Sequence, residues 1–287
     1  MAKTGLVVEG GGMRCAYSAG LLDRFMENGI TFDYCIGVSA GSANTASYVA
    51  GQKGRNIRFY TEHVGDPRYF GLRSFFKTGD IFGLEYIYGD LTNSDGKDPI
   101  DYQAILDSPM EFKIVATNAL TGKPEYFDKS QMIKDDYRHI MASCAIPAAC
   151  RPVEVEGNKY YDGGVADSIP VQRALDDGCE RLVVILSKPK DFVRKRQSLR
   201  AVYSLMCRKY PQIVKEINTR HIEYKKQKEF VAELENEGRA FVFAPDDSVN
   251  VSTFNMDVKK EQQLYDMGLS HFDSRFEGFA QFMAKED

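Results

Sequence analysis

Two short stretches of the 287-residue chain hold residue types that can transfer an acyl group. The first is Gly37-Val38-Ser39-Ala40-Gly41, a G-x-S-x-G pentapeptide. Glycines two residues to either side let the chain fold back sharply without a Cβ clash, which leaves a serine Oγ standing on the turn. "DYCI" before it reads as a strand. The small-residue run "SANTASYVAG" after it reads as a helix. Ser42 falls where that helix has already begun and is the poorer nucleophile. The second stretch is "KYYDGG", with Asp162 at a strand end and Gly163-Gly164 turning the chain. A carboxylate there is either a cap or Asx-turn, or a base facing the serine, its pKa raised by apolar neighbours.

A third stretch, "VVEGGGMRC", sets Gly10-Gly11-Gly12 between an apolar run and a helical segment. A bare backbone at that place suits a phosphate, a transition-state oxyanion or a plain tight turn. Its G-x-G-x-x-C form departs from the dinucleotide fingerprint at Cys15. Asp33 stands at the start of the second strand, not at the end where a ribose-binding acid belongs. No Gly-Lys-Ser/Thr follows, so a nucleotide-binding module is disfavoured. The four histidines, His63, His139, His221 and His271, lack a strand-end glycine context and read as surface or packing residues. The six cysteines show no CxxC pairing and read as reduced thiols. No metal-ligand cluster is seen, so neither a metal nor a cofactor is expected.

These residues need elements to position them. Residues 5–9, "FDYCIGVS", "EFKIVATNALTG", "RLVVILSKP" and "GRAFVFAP" read as strands. Residues 14–27 read as a helix stopped at Asn28-Gly29. "VEVEGNKYYDGG" reads as a hairpin turning at Glu156-Gly157-Asn158, and "PVQRALDDG" as a short helix. Strand alternating with helix predicts a doubly wound α/β sheet. Residues 63–100 read as an excursion over it, whose "YFGLRSFFKTGDIFGLEYIY" is core, a mobile cover or an acyl groove. Phe75 and Phe76, beside Arg73 and Lys77, suit an interfacial contact. Residues 191–237 read as charged helix interrupted at Pro211, with "NTRHIEYKKQK" a solvated face. Residues 257–284 read as two helices separated by Gly268. The expected organisation is a catalytic domain over 1–190 and a mostly helical extension over 191–287 packed on it.

Lys and Arg total 37 against 41 Asp and Glu, a net charge of −4. That balance offers no basic stripe for nucleic acid. A hydrophobic share of 43% argues against disorder. No apolar run reaches membrane-spanning length, and the N-terminal one is too short for a signal peptide. Together these predict a cytoplasmic protein.

"EGGGMRC", "GVSAG" and "DGG", in that order, resemble the patatin-like phospholipase family, as does "SCAIPAACRPVEVEGNKYYDGGVADSIPV" around the last of them. The likeness runs over about residues 5 to 190. It implies a three-layer, mainly parallel α/β sheet with a helical C-terminal extension. It implies a Ser39–Asp162 dyad in place of a triad. Gly11 and Gly12 would donate N–H groups to the oxyanion, supported by Gly10 and Arg14, while Gly37, Gly41, Gly163 and Gly164 shape the two turns. The implied substrate is a lipid ester (phospholipid, lysophospholipid or neutral acyl ester), reached by transient contact with a membrane surface. Arg14 either anchors the loop or meets an anionic headgroup. Cys15 replaces the family's usual glycine, which questions helix packing more than chemistry and places a thiol near the site, where oxidation would lower activity. A catalytically silent lipid-binding or scaffold protein of the same fold is the rival expectation.

Overall fold

Short apolar runs form the centre of the sheet. Strands β1 (Thr4–Val8), β2 (Tyr34–Val38) and β7 (Arg181–Ile185) are buried along almost their whole length. Continuous apolar strands of this kind require helices on both faces. The computed structural model, which describes residues 2–71, 74, 79–198, 200–249, 251 and 256–284, has that layering. The parallel part runs β3 (Glu111–Asn118), β2, β1, β7, β8 (Ala240–Phe243). Strands β4 (Pro124–Asp128) and β6 (Asn158–Asp162) pair antiparallel with β3, and β5 (Val153–Val155) pairs with β6.

Side chains alternate across β1. Leu6 and Val8 join a cluster with residues of α1 (Ala16–Glu27), α2 (Ala40–Val49), α3 (Arg55–Thr61) and α9 (Val258–Ala284). Val7 joins a second cluster with Val171 and Ala174 of α6 (Val171–Asp176) and Tyr224, Val231 and Leu234 of α8 (Pro211–Asn236). The period-two alternation of a strand thus sorts one apolar run into two cores. Short helices α4 (Tyr102–Asp107), α5 (Arg138–Cys144) and α7 (Arg200–Met206) complete the described set. Among the described residues no helix is long and apolar enough to cross a membrane.

The pairing of β3 sets the geometry of everything that follows. Its residues Lys113–Val115 pair with both β2 and β4, and Ala116–Thr117 with both β4 and β6. A strand has two edges, so β2 and β6 lie end to end along the same edge of β3. β2 finishes opposite Val115, and Asp162, the last residue of β6, stands opposite Ala116. The residue that follows β2 is Ser39.

The helical run breaks just ahead of Pro211 as expected, between Met206, which ends α7, and Pro211, which opens α8 because its missing N–H costs nothing at a first turn. Other expectations are corrected. β4 was not anticipated, its "PEYFD" being short and charged. Residues 79–100 hold an isolated bridge, Phe70 to Phe82, and a π-helical turn, Tyr86–Asp90. Phe75, Phe76, Arg73 and Lys77, expected to suit an interface, lie outside the described residues. The expected break at Gly268 is absent, and α9 runs straight through it. Gly268 is a contact residue: a Cβ there would lie 2.3 Å from the Tyr17 carbonyl oxygen of α1. Gly20 of α1 answers it, with a Cβ position 2.2 Å from the Tyr265 carbonyl oxygen. The sign of one substitution separates the two views. Helix propensity alone predicts that Gly268→Ala stabilises by about 1 kcal/mol. The packing of α1 on α9 predicts a loss of about 1–3 kcal/mol, read by urea denaturation.

Candidate active site

Ser39 occupies the sharp turn between β2 and α2 with φ 54° and ψ −133°, a strained conformation for a residue with a Cβ. The surrounding backbone is packed against it. A Cβ on Gly10 would lie 2.7 Å from Ser39 Cβ, and one on Gly41 would lie 2.7 Å from the carbonyl oxygens of Val8 and Glu9. Gly37 faces Ser42 in the same way. Ser42 is buried and donates its hydroxyl to the Ser39 carbonyl at 2.7 Å, so it braces the turn. Ser39 itself is only 6% exposed and is reached through clefts, not from an open surface.

Asp162 meets it from β6. Ser39 Oγ donates to Asp162 Oδ2 at 2.6 Å. The other carboxylate oxygen accepts the Gly164 N–H at 2.8 Å, while Gly163 packs against the Val115 carbonyl. The Asp162 main chain is pinned on both sides, its N–H donating to the Ala145 carbonyl at 2.8 Å and its carbonyl accepting from Thr117 Oγ1 at 2.9 Å. Burial raises the Asp162 pKa above the usual carboxylate value. The positive charge of Arg220 and the Ser39 and Gly164 hydrogen bonds pull part of the way back.

Ser143 of α5 closes the junction at which β2 and β6 both end. Its hydroxyl donates to the Val115 carbonyl at 2.6 Å and accepts the Ser39 N–H at 2.8 Å. The only sign of it in the sequence was its place in the stretch resembling the family.

The glycine loop lies alongside. Gly11 is extended and Gly12 is left-handed at φ 57°, opening the short 3₁₀ turn Gly12–Cys15. Among the described residues no protein acceptor takes the N–H of Gly11 or Gly12. Ser187 Oγ holds the Gly10 carbonyl at 2.7 Å. Glu9 is buried and fully engaged, accepting from the Ser187 N–H at 2.7 Å and the Tyr224 hydroxyl at 2.9 Å, with Lys188 Nζ at 3.6 Å. Arg14 is half-buried, its pKa lowered by burial against the pull of Glu9. Cys15 is fully buried, its thiol 3.5 Å from the Glu9 carbonyl, and burial pushes its pKa far up. A thiol so enclosed has little thiolate to oxidise, which removes the physical basis for the expected oxidation sensitivity.

Two clefts meet at Ser39, with Gly12 and Ile146 also walling both. One, about 640 Å³, is mainly apolar, lined by Ala43, Phe59, Phe82, Leu84 and Ile87, with Asn44, Asn56 and the engaged Arg55 also on its walls. The other, about 840 Å³, is mixed, with Val38, Pro147 and Val165 on its walls beside the charged Glu9, Asp162, Lys188, Arg194 and Arg220.

The histidines are elsewhere. His63 is buried against Asp98 Oδ2 at 2.9 Å, and His139 is buried edge-on to the Phe127 ring. His271 pairs with the Tyr17 hydroxyl at 2.9 Å, and His221 sits half-buried on α8. Among the described residues none bonds to Ser39 or Asp162, and no group of three His, Cys, Asp or Glu is placed to hold a metal ion.

Helices on both faces of a mainly parallel sheet, with a serine elbow at one strand end and an aspartate facing it, define a patatin-type α/β protein. The chain belongs to the patatin-like phospholipase family, whose model matches residues 6–175. A second model, a domain of unknown function (DUF6363), matches residues 210–284. An uncharacterized protein of Escherichia coli K12, YjjU, is 33% identical over 190 residues, covering 65% of this chain and 52% of its own. Lysophospholipase nte1 of Aspergillus terreus is 28% identical over 174 residues, 59% of this chain but 11% of its own. The chain thus spans about half the length of the first and about a tenth of the second. Among solved structures, VipD from Legionella pneumophila aligns over 95% of this chain and 67% of its own, with a TM-score of 0.43 and 13% identity.

Ser143→Ala is expected to destabilise the fold by about 1–3 kcal/mol, because it strips a buried carbonyl and a buried N–H of one partner. Urea denaturation checks this. A change near zero would mean that Ser143 does not hold the junction.

Proposed function

We propose that the protein is a serine hydrolase of lipid carboxylic esters working through a Ser39–Asp162 dyad. The observation that carries this is the 2.6 Å bond between Ser39 Oγ and Asp162 Oδ2, with no histidine bonded to either residue among those described. Asp162 takes the Ser39 proton as Oγ attacks the ester carbonyl. The oxygen that becomes negative is met by the N–H groups of Gly11 and Gly12, beside the N-terminal end of α1. Each such donor is typically worth about 3 kcal/mol in the transition state. The alcohol leaves with the proton held by Asp162. Water, activated by the same carboxylate, then frees the acyl group from Ser39. The apolar cleft receives the acyl chain. Support comes from the family membership and from the lysophospholipase name borne by one relative. The six cysteines are all unpaired and buried, in keeping with a cytoplasmic site of action. Residues 191–287 act as an extension of the catalytic domain over 1–190, since β8 and α9 pack onto β7 and α1.

Asp162→Asn keeps the shape of the side chain but cannot accept the proton, so kcat/KM on a soluble ester should fall by about 10²–10⁴-fold. His63→Ala, His139→Ala, His221→Ala and His271→Ala should each keep most of the activity. The buried pair His63 and His139 will cost stability, which circular dichroism separates from chemistry. A folded histidine variant as inactive as Asp162→Asn would replace the dyad with a triad.

The raised pKa of Asp162 fixes the sign of a pH effect. The ionised form is the active one. kcat/KM should therefore decline as pH falls through a value above the ordinary aspartate pKa of about 4. The fold responds in the opposite sense. A carboxyl whose pKa is raised by folding favours the native state when protonated, and that contribution is lost as pH rises through the folded pKa. Asp162→Asn, neutral at all pH, should accordingly melt at or above the wild-type temperature at neutral pH. An acid limb at the ordinary value, together with a variant that melts lower, would count against a buried ionised base.

A further inference from the structure

The two clefts at Ser39 differ in charge, and the charge comes from beyond the matched family segment. Lys188 follows β7, Arg194 lies between β7 and α7, and Arg220 lies on α8. All three fall outside residues 6–175, and Arg220 falls within the match over 210–284. The sequence placed Arg220 on a solvated face, yet its guanidinium reaches the Gly164 turn, where a Cβ would lie 2.8 Å from Arg220 Nη2.

These cations crowd one another. Lys188 is 6% exposed and its pKa is pushed down to about 7, first by burial, with Arg194, Arg220 and Arg14 adding repulsion against the attraction of Glu9. Arg220 is pushed down to about 10 by burial and then by Arg194. The Nε atoms of Arg14, Arg194 and Arg220 are buried without a hydrogen-bond partner in the protein. Among the described residues no carboxylate lies within ion-pair distance of these three guanidinium groups. The two carboxylates on the cleft wall are already engaged, Glu9 by Ser187, Tyr224 and Lys188, and Asp162 by Ser39 and Gly164. The Tyr224 ring backs the cluster, 4.4 Å from the Arg194 guanidinium and 5.1 Å from Lys188 Nζ. Arg220 and, less strongly, Arg194 also favour the ionised Asp162 carboxylate. Three cations on one wall, two of them with planar forks of donors, are complementary to an anion with several oxygens.

We infer that Lys188, Arg194 and Arg220 form a subsite for a phosphate group, so that the C-terminal extension reads the headgroup side of a glycerophospholipid ester. This rests on the proposal that Ser39 attacks lipid esters. With the acyl chain in the apolar cleft, the alcohol half of the ester falls to the basic one, and in a glycerophospholipid that half bears the phosphodiester.

The test compares lysophosphatidylglycerol with a monoacylglycerol of the same acyl chain, using wild type, Arg194→Gln and Arg220→Gln. Each substitution should lower the ratio of kcat/KM for the phospholipid to that for the neutral ester by about tenfold or more, mainly through KM, as expected for loss of a charge-assisted contact. The ratio cancels any common effect of Arg220 on Asp162. Equal losses on both substrates would overturn the subsite.

Calorimetry on the Ser39→Ala protein gives a reading without turnover. Lysophosphatidylglycerol should bind about tenfold or more tightly than the monoacylglycerol, and adding Arg220→Gln should erase the difference. Inorganic phosphate binding as tightly as the phospholipid would assign the cluster to free phosphate and overturn the headgroup assignment. Preferential binding by a protein that hydrolyses neither lipid would sink the hydrolase proposal and uphold the subsite.

Discussion

The hydrogen bond from Ser39 to Asp162 depends on one feature of the sheet. Two strands from distant parts of the chain share one edge of β3, one ending opposite Val115 and the other ending opposite Ala116. β3 acts as a ruler that brings Ser39 and Asp162 to adjacent places. Rigid strands hold such a pair more closely than loops do, and small displacements at a reacting centre are costly. The same junction would leave the Val115 carbonyl and the Ser39 N–H without partners. Ser143 serves both. The positive φ of Ser39 and the burial of Asp162 are unfavourable in themselves. They persist because the packed backbone of Gly10 and Gly41 leaves the turn no other course.

The chemistry-bearing turns were legible because short-range steric rules govern them. G-x-S-x-G after an apolar strand, three glycines before a helix and an aspartate followed by two glycines each state a local backbone demand. The parallel core was legible for a similar reason, since buried strands are continuous apolar runs. What was not legible is set at long range. Gly268 looks like a helix stop until Gly20 is brought against it from the other end of the chain. Nothing local marks "PEYFD" as a strand, because it pairs along one edge of β3 and is only partly buried. His63 and His139 lack any catalytic context in sequence and are enclosed in the fold, yet sequence could not say that they are buried.

Arg220 and Tyr224 illustrate the same limit on the side of charge. They sit in a run of charged residues whose composition points to water. The helix nevertheless turns Tyr224 to Glu9 and Arg220 to the Gly164 turn. Helical spacing places both on one face, but only the packing of α8 on the sheet selects that face as the inner one. The result is a mainly apolar cleft on one side of Ser39 and, on the other, a cleft that carries Lys188, Arg194 and Arg220, two of these cations drawn from residues 191–287.

The central claim is that Ser39 is an activated nucleophile, and a covalent label tests it most directly. The purified protein is treated with a fluorophosphonate, and the adduct is mapped by peptide mass spectrometry. The account predicts one adduct, on Ser39, formed by the wild type and absent from Ser39→Ala. It further predicts much slower labelling of Asp162→Asn at equal folded fraction. Labelling of Ser39→Ala at the wild-type rate, or an adduct mapped to another residue, would contradict it.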